Sequence, residues 1–263
     1  MTGQVPAYSV TRTQPRRTKH CLVIPVINEG TRIARLLERI HQLGIASQLD
    51  VVIVDGGSRD GSLGAALLDA CEVHTLLVKT GPGKLSAQLR CAYHYVLEAG
   101  YDGIVTIDGN NKDDPAAIPA FVQALEQGYD FVQGSRFVPG GHAENTPLLR
   151  WVAIRLVHAP LLALASGFGW TDTTQGFRGY SRALLSDPRV DIFRDVFDTY
   201  ELLAYLSYRA PKLGYRCLEL PTSRVYPAGE KAPTKISPFA GNFKLFATLL
   251  KACNGGYNPK DGS

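Results

Sequence analysis

The chain has no two cysteines at C-x-x-C spacing, and its five cysteines (Cys21, Cys71, Cys91, Cys217, Cys253) are an odd number. A disulfide framework and a cysteine zinc site are therefore excluded, and the thiols read as reduced and mostly buried in a cytosolic protein. The six histidines show no metal-ligand spacing. Acidic residues are missing from residues 1–20, which hold Arg12, Arg16, Arg17 and Lys19, so residues 21–263 balance at 24 basic against 24 acidic. A body without a basic excess lacks the face that binds a nucleic-acid backbone, so no nucleic-acid partner is expected. Long apolar runs are scarce as well. The greasiest stretch, residues 151–170, contains Arg155, His158, Pro160, Gly167 and Gly169. That disfavours a spanning helix and leaves two readings, a helix lying on a membrane or one packed in the core. No signal-peptide pattern is visible.

Several catalytic signatures are absent too. Gly81-Pro-Gly-Lys84 is not a Walker A loop, because Val78 stands where that motif needs glycine and Leu85 where it needs Ser or Thr. No G-x-G-x-x-G follows the first strand, and no G-x-S-x-G elbow occurs.

What is present is an alternation of strands and helices in 263 residues, 45% of them hydrophobic. Short β-rich runs predict strands over 21–27, 51–54, 73–78 and 103–107. Apolar residues at helical spacing predict helices over 31–43, 84–99 and 115–126 between and after them. This order implies an α/β domain with a mostly parallel central sheet and helices on both faces. The second half is less regular, with a strand near 131, one or two helices over 148–165 broken near Pro160, a helix over 197–210, a strand over 215–221 and a last helix near 242–252. A single domain over 21–253 is expected, with 1–20 a basic disordered tail and 254–263 a flexible end.

Ligands of such sheets bind beyond the carboxyl ends of the strands. Three polar clusters, Asn28-Glu29, Asp55 to Asp60 and Asp108 to Asp114, each begin where a strand stops. In Asp108-Gly-Asn-Asn-Lys-Asp-Asp114 the oxygen donors at i and i+2 suit a hard cation such as Mg²⁺ or Mn²⁺, or else an Asx-type turn that satisfies only local backbone donors. Lys84 at a helix start reads as a phosphate-binding lysine or as an exposed surface one. Arg136 and Arg178 read as phosphate ligands, or as partners that hold loops through Asp172 or Glu201.

Taken in order, Ile24-Pro-Val-Ile-Asn-Glu29, Val52-Ile-Val-Asp-Gly-Gly-Ser-Arg-Asp-Gly-Ser62, Gly83-Lys84, Thr106-Ile-Asp-Gly-Asn110, Gly134-Ser-Arg-Phe137, Thr173-Thr-Gln-Gly-Phe-Arg178 and Glu201-Leu-Leu203 resemble the family 2 glycosyltransferases of the dolichyl- or polyprenyl-phosphate mannosyltransferase type. The resemblance spans roughly residues 20–236. It implies a GT-A fold, a nucleotide-diphosphate sugar as donor, a divalent cation (Mg²⁺ or Mn²⁺) and an inverting hexosyl transfer to a polyprenyl phosphate or a cell-envelope glycan. A cytoplasmic enzyme is expected, either free or, if the 151–170 segment lies on a membrane, in peripheral contact with the inner face of the cytoplasmic membrane.

Pro25, Asn28, Glu29 and Asp55 match positions that hold the nucleoside, and Lys84 a position near the diphosphate. Asp108 and Asn110 match the ends of the metal motif. Arg136, Arg178, Lys231 and Lys235 match positions near the acceptor phosphate or the diphosphate, and Asp172 and Glu201 are the acids nearest to where a base would act. Three departures stand out: Gly56 in place of an acid, Asn110 in place of an acid, and Lys112 in place of a glutamine. The first two motivate a rival expectation, a nucleotide-sugar-binding module without turnover; a second rival, a sugar-phosphate nucleotidyltransferase, shares the strand-helix plan and a metal site.

Overall fold

The computed structural model describes residues 4–226 and 240–260. Lys231 and Lys235 lie outside the described residues. Ten strands are described: β1 (Tyr8–Arg12), β2 (His20–Val26), β3 (Asp50–Asp55), β4 (Thr75–Lys79), β5 (Gly103–Thr106), β6 (Phe131–Ser135), β7 (His142–Glu144), β8 (Arg178–Ser181), β9 (Cys217–Pro221) and β10 (Ser223–Val225). Eight of them form one sheet in the order β1-β4-β3-β2-β5-β8-β6-β9, and β7 pairs with β10 apart from it. The β4-β3-β2-β5 core is parallel throughout, and β8 runs antiparallel to both of its neighbours.

Strands β2 and β3 are buried along their whole length because alternate side chains enter two different cores. Cys21, Val23, Val52 and Val54 pack against the Leu85–Glu98 helix and the helices near the C-terminus. Leu22, Ile24, Val51 and Ile53 face Ile33, Leu36, Leu37 and Ile40 of the Thr31–Gln42 helix and Phe121 of the Ile118–Glu126 helix. Each such aliphatic side chain, fully removed from water, contributes about 1.5–3 kcal/mol.

Pro25 has no N–H to give a ladder, and it lies beyond the last pair that β2 makes with β5, Val23 with Thr106. The strands part there, and the carboxyl-end rim opens.

Two expectations about the termini are corrected. The basic segment 1–20 is not a loose tail where it is described: β1 pairs antiparallel with β4 at the sheet edge. Its arginines find partners on the body, Arg12 with Asp69 and the Val73 carbonyl, and Arg17 with the buried Asp50. Near the other end, Tyr257 is buried against Phe197, so the described chain just past 253 is packed at that residue.

The helix over 148–166 is not broken at Pro160. Proline in a helix removes a donor and crowds the carbonyl four residues back. The preceding six residues, Ala153–His158, are wound as a π-helix, a wider winding that accommodates the irregularity, and Ala159–Ser166 continues as α-helix.

Candidate active site

A cleft of about 630 Å³ opens at the rim where β2 to β5 end. Pro25, Glu29 and Gly56 line it from the first two parallel strands, Lys79 from the end of β4, Lys84 and Gln88 from the next helix, and Asp108, Asn110 and Lys112 from the turn after β5. Arg150, Tyr200 and Arg224 close the remaining side. Five sequence-expected site residues, Pro25, Glu29, Lys84, Asp108 and Asn110, therefore meet in one cavity, with Lys84 and Asp108 on the same side of the molecule.

The acid-rich turn divides its duties. Arg39, on the Thr31–Gln42 helix, holds the side chains of Asn111 (3.0 Å) and Asp114 (2.8 Å). The Asp114 carboxylate also accepts from the Ala116 amide and caps the 3₁₀ turn Pro115–Ala117. Asn110 Oδ1 accepts the Lys112 amide at 3.2 Å, the local bond of the expected Asx-type turn. Arg224 lies between the remaining two acids: its Nη1 is 2.5 Å from Asp113 Oδ2, and both terminal nitrogens are 3.3 Å from Asp108 Oδ2. Burial raises the Asp113 carboxyl, an effect the guanidinium beside it opposes. Arg224 itself is buried, which alone would lower it, but Asp113 and Asp108 outweigh that and raise it.

Asp108 is also confined from the other side. A Cβ on Gly176 would lie 2.2 Å from Asp108 Oδ1, so only glycine leaves room for this carboxylate.

Two further cations stand near Arg224 and share the Tyr226 ring with it. Lys112 Nζ lies 4.9 Å from the centre of the Tyr226 ring, and Arg150 Nη1 donates to the Tyr226 hydroxyl at 2.9 Å. Burial, then the charge of Arg224, lower the Lys112 ammonium. For Tyr226 burial acts upward, but Arg224 and Arg150 prevail and bring the phenol down to about 8.

The helix start at Lys84 differs from the expected phosphate cradle. The Lys84 and Ala87 amides donate to the Asp198 carbonyl and the Ser86 amide to the Thr199 carbonyl, so three of the N–H groups that would face an anion are already bonded. The Lys84 side chain, on the cleft wall, is what this element offers to a phosphate.

Several expected site residues are absent from that wall. Arg136 and Asp172 form a buried pair (2.7 and 3.1 Å), with Thr174 bonded to both. Arg178 is fully buried and donates to the carbonyls of Gln175, Thr173 and Leu203. Glu201 accepts from the Asp198 and Thr199 amides and the Thr199 hydroxyl at its own helix start. The loop-holding ion pair expected as the alternative forms between Arg136 and Asp172, whereas Arg178 is held by backbone carbonyls and Glu201 by the amides and hydroxyl at its own helix start. All four make hydrogen bonds within the scaffold. Asp55 accepts from the Ser58 amide and hydroxyl, and Asn28 from the Arg59 amide, so both shape the loop beside the cleft.

Sequence reasoning missed Arg150, Arg224 and Lys79 as cleft residues. Lys79 ends a parallel strand, a position that the rim rule marks; Arg150 and Arg224 belong to no local motif. Among the described residues no group of three or more His, Cys, Asp or Glu side chains could hold a metal by itself. Asp108 and Asn110 are the oxygen donors of this turn that would suit a hard divalent ion.

The fold belongs to the GT-A class. Its architecture matches that of glucosyl-3-phosphoglycerate synthase from Mycobacterium tuberculosis, crystallised with uridine diphosphate, at a TM-score of 0.60 and 21% identity, covering 96% of this chain and 83% of that one. The description Glycosyl transferase family 2 matches residues 21–187. Polyprenol monophosphomannose synthase of Mycolicibacterium smegmatis is 31% identical over 212 residues, 78% of this chain and 77% of the relative. Undecaprenyl-phosphate mannosyltransferase of Micrococcus luteus is also 31% identical over 212 residues, 77% of this chain and 82% of the relative. The chain belongs to glycosyl transferase family 2 and is a glycosyltransferase.

Proposed function

We propose that the protein transfers a hexose, with inversion, from a nucleoside-diphosphate sugar to a polyprenyl phosphate at the cytoplasmic surface of a membrane. One juxtaposition carries this reading. Arg150 reaches into the cleft that holds Asp108 and Lys84, and it stands on the Leu148–Ser166 helix, which is long and apolar enough by length and composition to cross a membrane. Ile154, Ala159 and Leu162 seat that helix in the body, while Leu149 and Leu164 are 85% and 84% exposed. A surface of this kind suits a bilayer face, with an arginine at its edge for a lipid phosphate.

The chemistry required of the chain is mostly electrostatic. An oxygen of the acceptor phosphate forms a bond to the anomeric carbon as the bond to the donor diphosphate breaks, and the electron pair leaves with the nucleoside diphosphate. Lys84, Lys79 and Arg224 line the cavity that would hold the leaving group, where positive charge stabilises it most as its own charge develops. A phosphate acceptor is ionised near neutral pH and needs no base. That agrees with Asp172 and Glu201, the acids expected near a base, being bonded into the scaffold. Mg²⁺ or Mn²⁺, held by Asp108 and Asn110 together with the diphosphate, would supply Lewis-acid charge to the same leaving group. The names of the relatives, which specify polyprenol and undecaprenyl phosphate, support the acceptor class.

The test is incubation of the protein with a panel of labelled UDP- and GDP-hexoses and undecaprenyl phosphate in vesicles, followed by solvent extraction. Lipid-linked label is expected, with Arg150→Ala lowering kcat/KM about 100-fold through lost positioning. Label that stays in water with every donor, or passes only to a soluble glycan, defeats the reading.

A further inference from the structure

Asp108, Asp113 and Asn110 together bring two negative charges to the turn after β5, and Arg224 brings one positive charge into contact with both acids. This contact is built into the backbone. Strand β10 is tied to the turn by the Asp114 amide to the Ser223 carbonyl (3.1 Å) and the Val225 amide to the Lys112 carbonyl (2.9 Å), so Arg224 is delivered with the strand that carries it. Asp108 is thus held between the guanidinium on one side and the Cα of Gly176 on the other. Lys112, lining the same wall, adds a further positive charge.

We propose that Arg224 is a positioning residue that makes divalent-cation binding at Asp108 conditional on the donor's diphosphate; the proposal rests on reading this cleft as a nucleotide-sugar site. Cation affinity rises with the negative charge of the ligand set. A divalent ion approaching Asp108 alone meets a guanidinium 3.3 Å from the same carboxylate oxygen, and a neutral Asn110 as its other protein donor. A diphosphate supplies the missing negative charge to the ion and a second anionic partner to Arg224, so both cations are retained together. Arg224 in this way takes the place of strict metal charge in holding Asp108 aimed at the cleft before the donor arrives.

The experiment is a Mn²⁺ titration of the full chain followed by the electron paramagnetic resonance signal of the free ion, alone and with saturating UDP or GDP. Nucleotide binding without metal is measured separately by calorimetry. Wild-type protein is expected to hold Mn²⁺ at least tenfold more tightly with the nucleoside diphosphate than without. Arg224→Gln should gain at least tenfold in affinity for Mn²⁺ alone, and Arg224→Lys, which keeps the charge, should behave as wild type. Lys112→Gln should move in the direction of Arg224→Gln by a smaller factor, and decides the matter if Arg224→Gln does not fold. Unchanged affinity for Mn²⁺ alone in the charge-removing variants, or equal wild-type affinity with and without diphosphate, overturns the proposal. If neither nucleotide binds in calorimetry the donor reading falls separately, while the comparison of Mn²⁺ alone across the variants still supports or overturns the charge role of Arg224.

Discussion

Gly176 shows how much of this site depends on single atoms. The residue carries no chemistry, yet a methyl group there would come within 2.2 Å of Asp108 Oδ1. Gly176→Ala is therefore expected to cost about 100-fold or more in turnover by displacing a carboxylate from its working position. The fold should be retained, so the thermal midpoint and circular dichroism serve as controls. Turnover within a factor of about two of wild type would show that Asp108 has slack, against the distances that enclose it. The same scale shows why sequence left two readings open for several charged residues. Arg136 and Arg178 look like phosphate ligands because arginines in loops often are. Their guanidinium groups are instead bonded to Asp172 and to backbone carbonyls. A motif names a residue, but the partner it finds lies elsewhere in the chain.

At the scale of an element, the Leu148–Ser166 helix combines an apolar outer side with an irregular inner one. His158 ends the π-wound segment; it is half-buried, and its Nδ1 meets the Thr173 hydroxyl at 3.1 Å. Burial, then the charge of Arg178, hold its imidazole down to about 4, with Asp172 opposing. The folded protein keeps it neutral where the unfolded chain, near the ordinary value of about 6.5, takes up a proton. Stability contributed by this group is complete above about 6.5 and declines as pH falls towards 4. Urea unfolding at about pH 5 and about pH 7.5 should show a smaller loss on acidification in His158→Asn than in wild type. Equal losses in both would remove His158 as a cause. The apolar periodicity of this helix was legible; its continuity through Pro160 was not, since proline rules describe a regular α-helix and this one widens before the proline.

For the whole molecule, the N-terminal segment matters more than its composition suggests. Arg17 closes the body by donating from its amide and its Nε to Asp50, both at 2.8 Å, while Tyr101 donates to the same carboxylate at 2.9 Å. Burial would raise Asp50, but the bonds from Arg17 and Tyr101 and the charge of His74 lower it overall. Arg17→Ala leaves a buried carboxylate short of its charged partner. It should cost about 3 kcal/mol, the low end for breaking a buried pair, because Arg17 itself is partly exposed. Chemical denaturation reads this directly, and a change below about 0.5 kcal/mol would return the segment to the status of a surface tail.

Local pattern alone determined the alternation of strands and helices, the two-sided parallel core and the placing of Glu29, Asp108 and Asn110 at one rim. Hydrophobic periodicity and strand ends are written within a few residues of each other. Only the tertiary structure decided which charges face the cleft. Arg224 meets Asp108 across 116 positions of sequence, and Arg136 meets Asp172 across 36. A charge is directed by whichever opposite charge or carbonyl the fold sets beside it, and in this protein those partners come from strands and loops that only the closed sheet brings together.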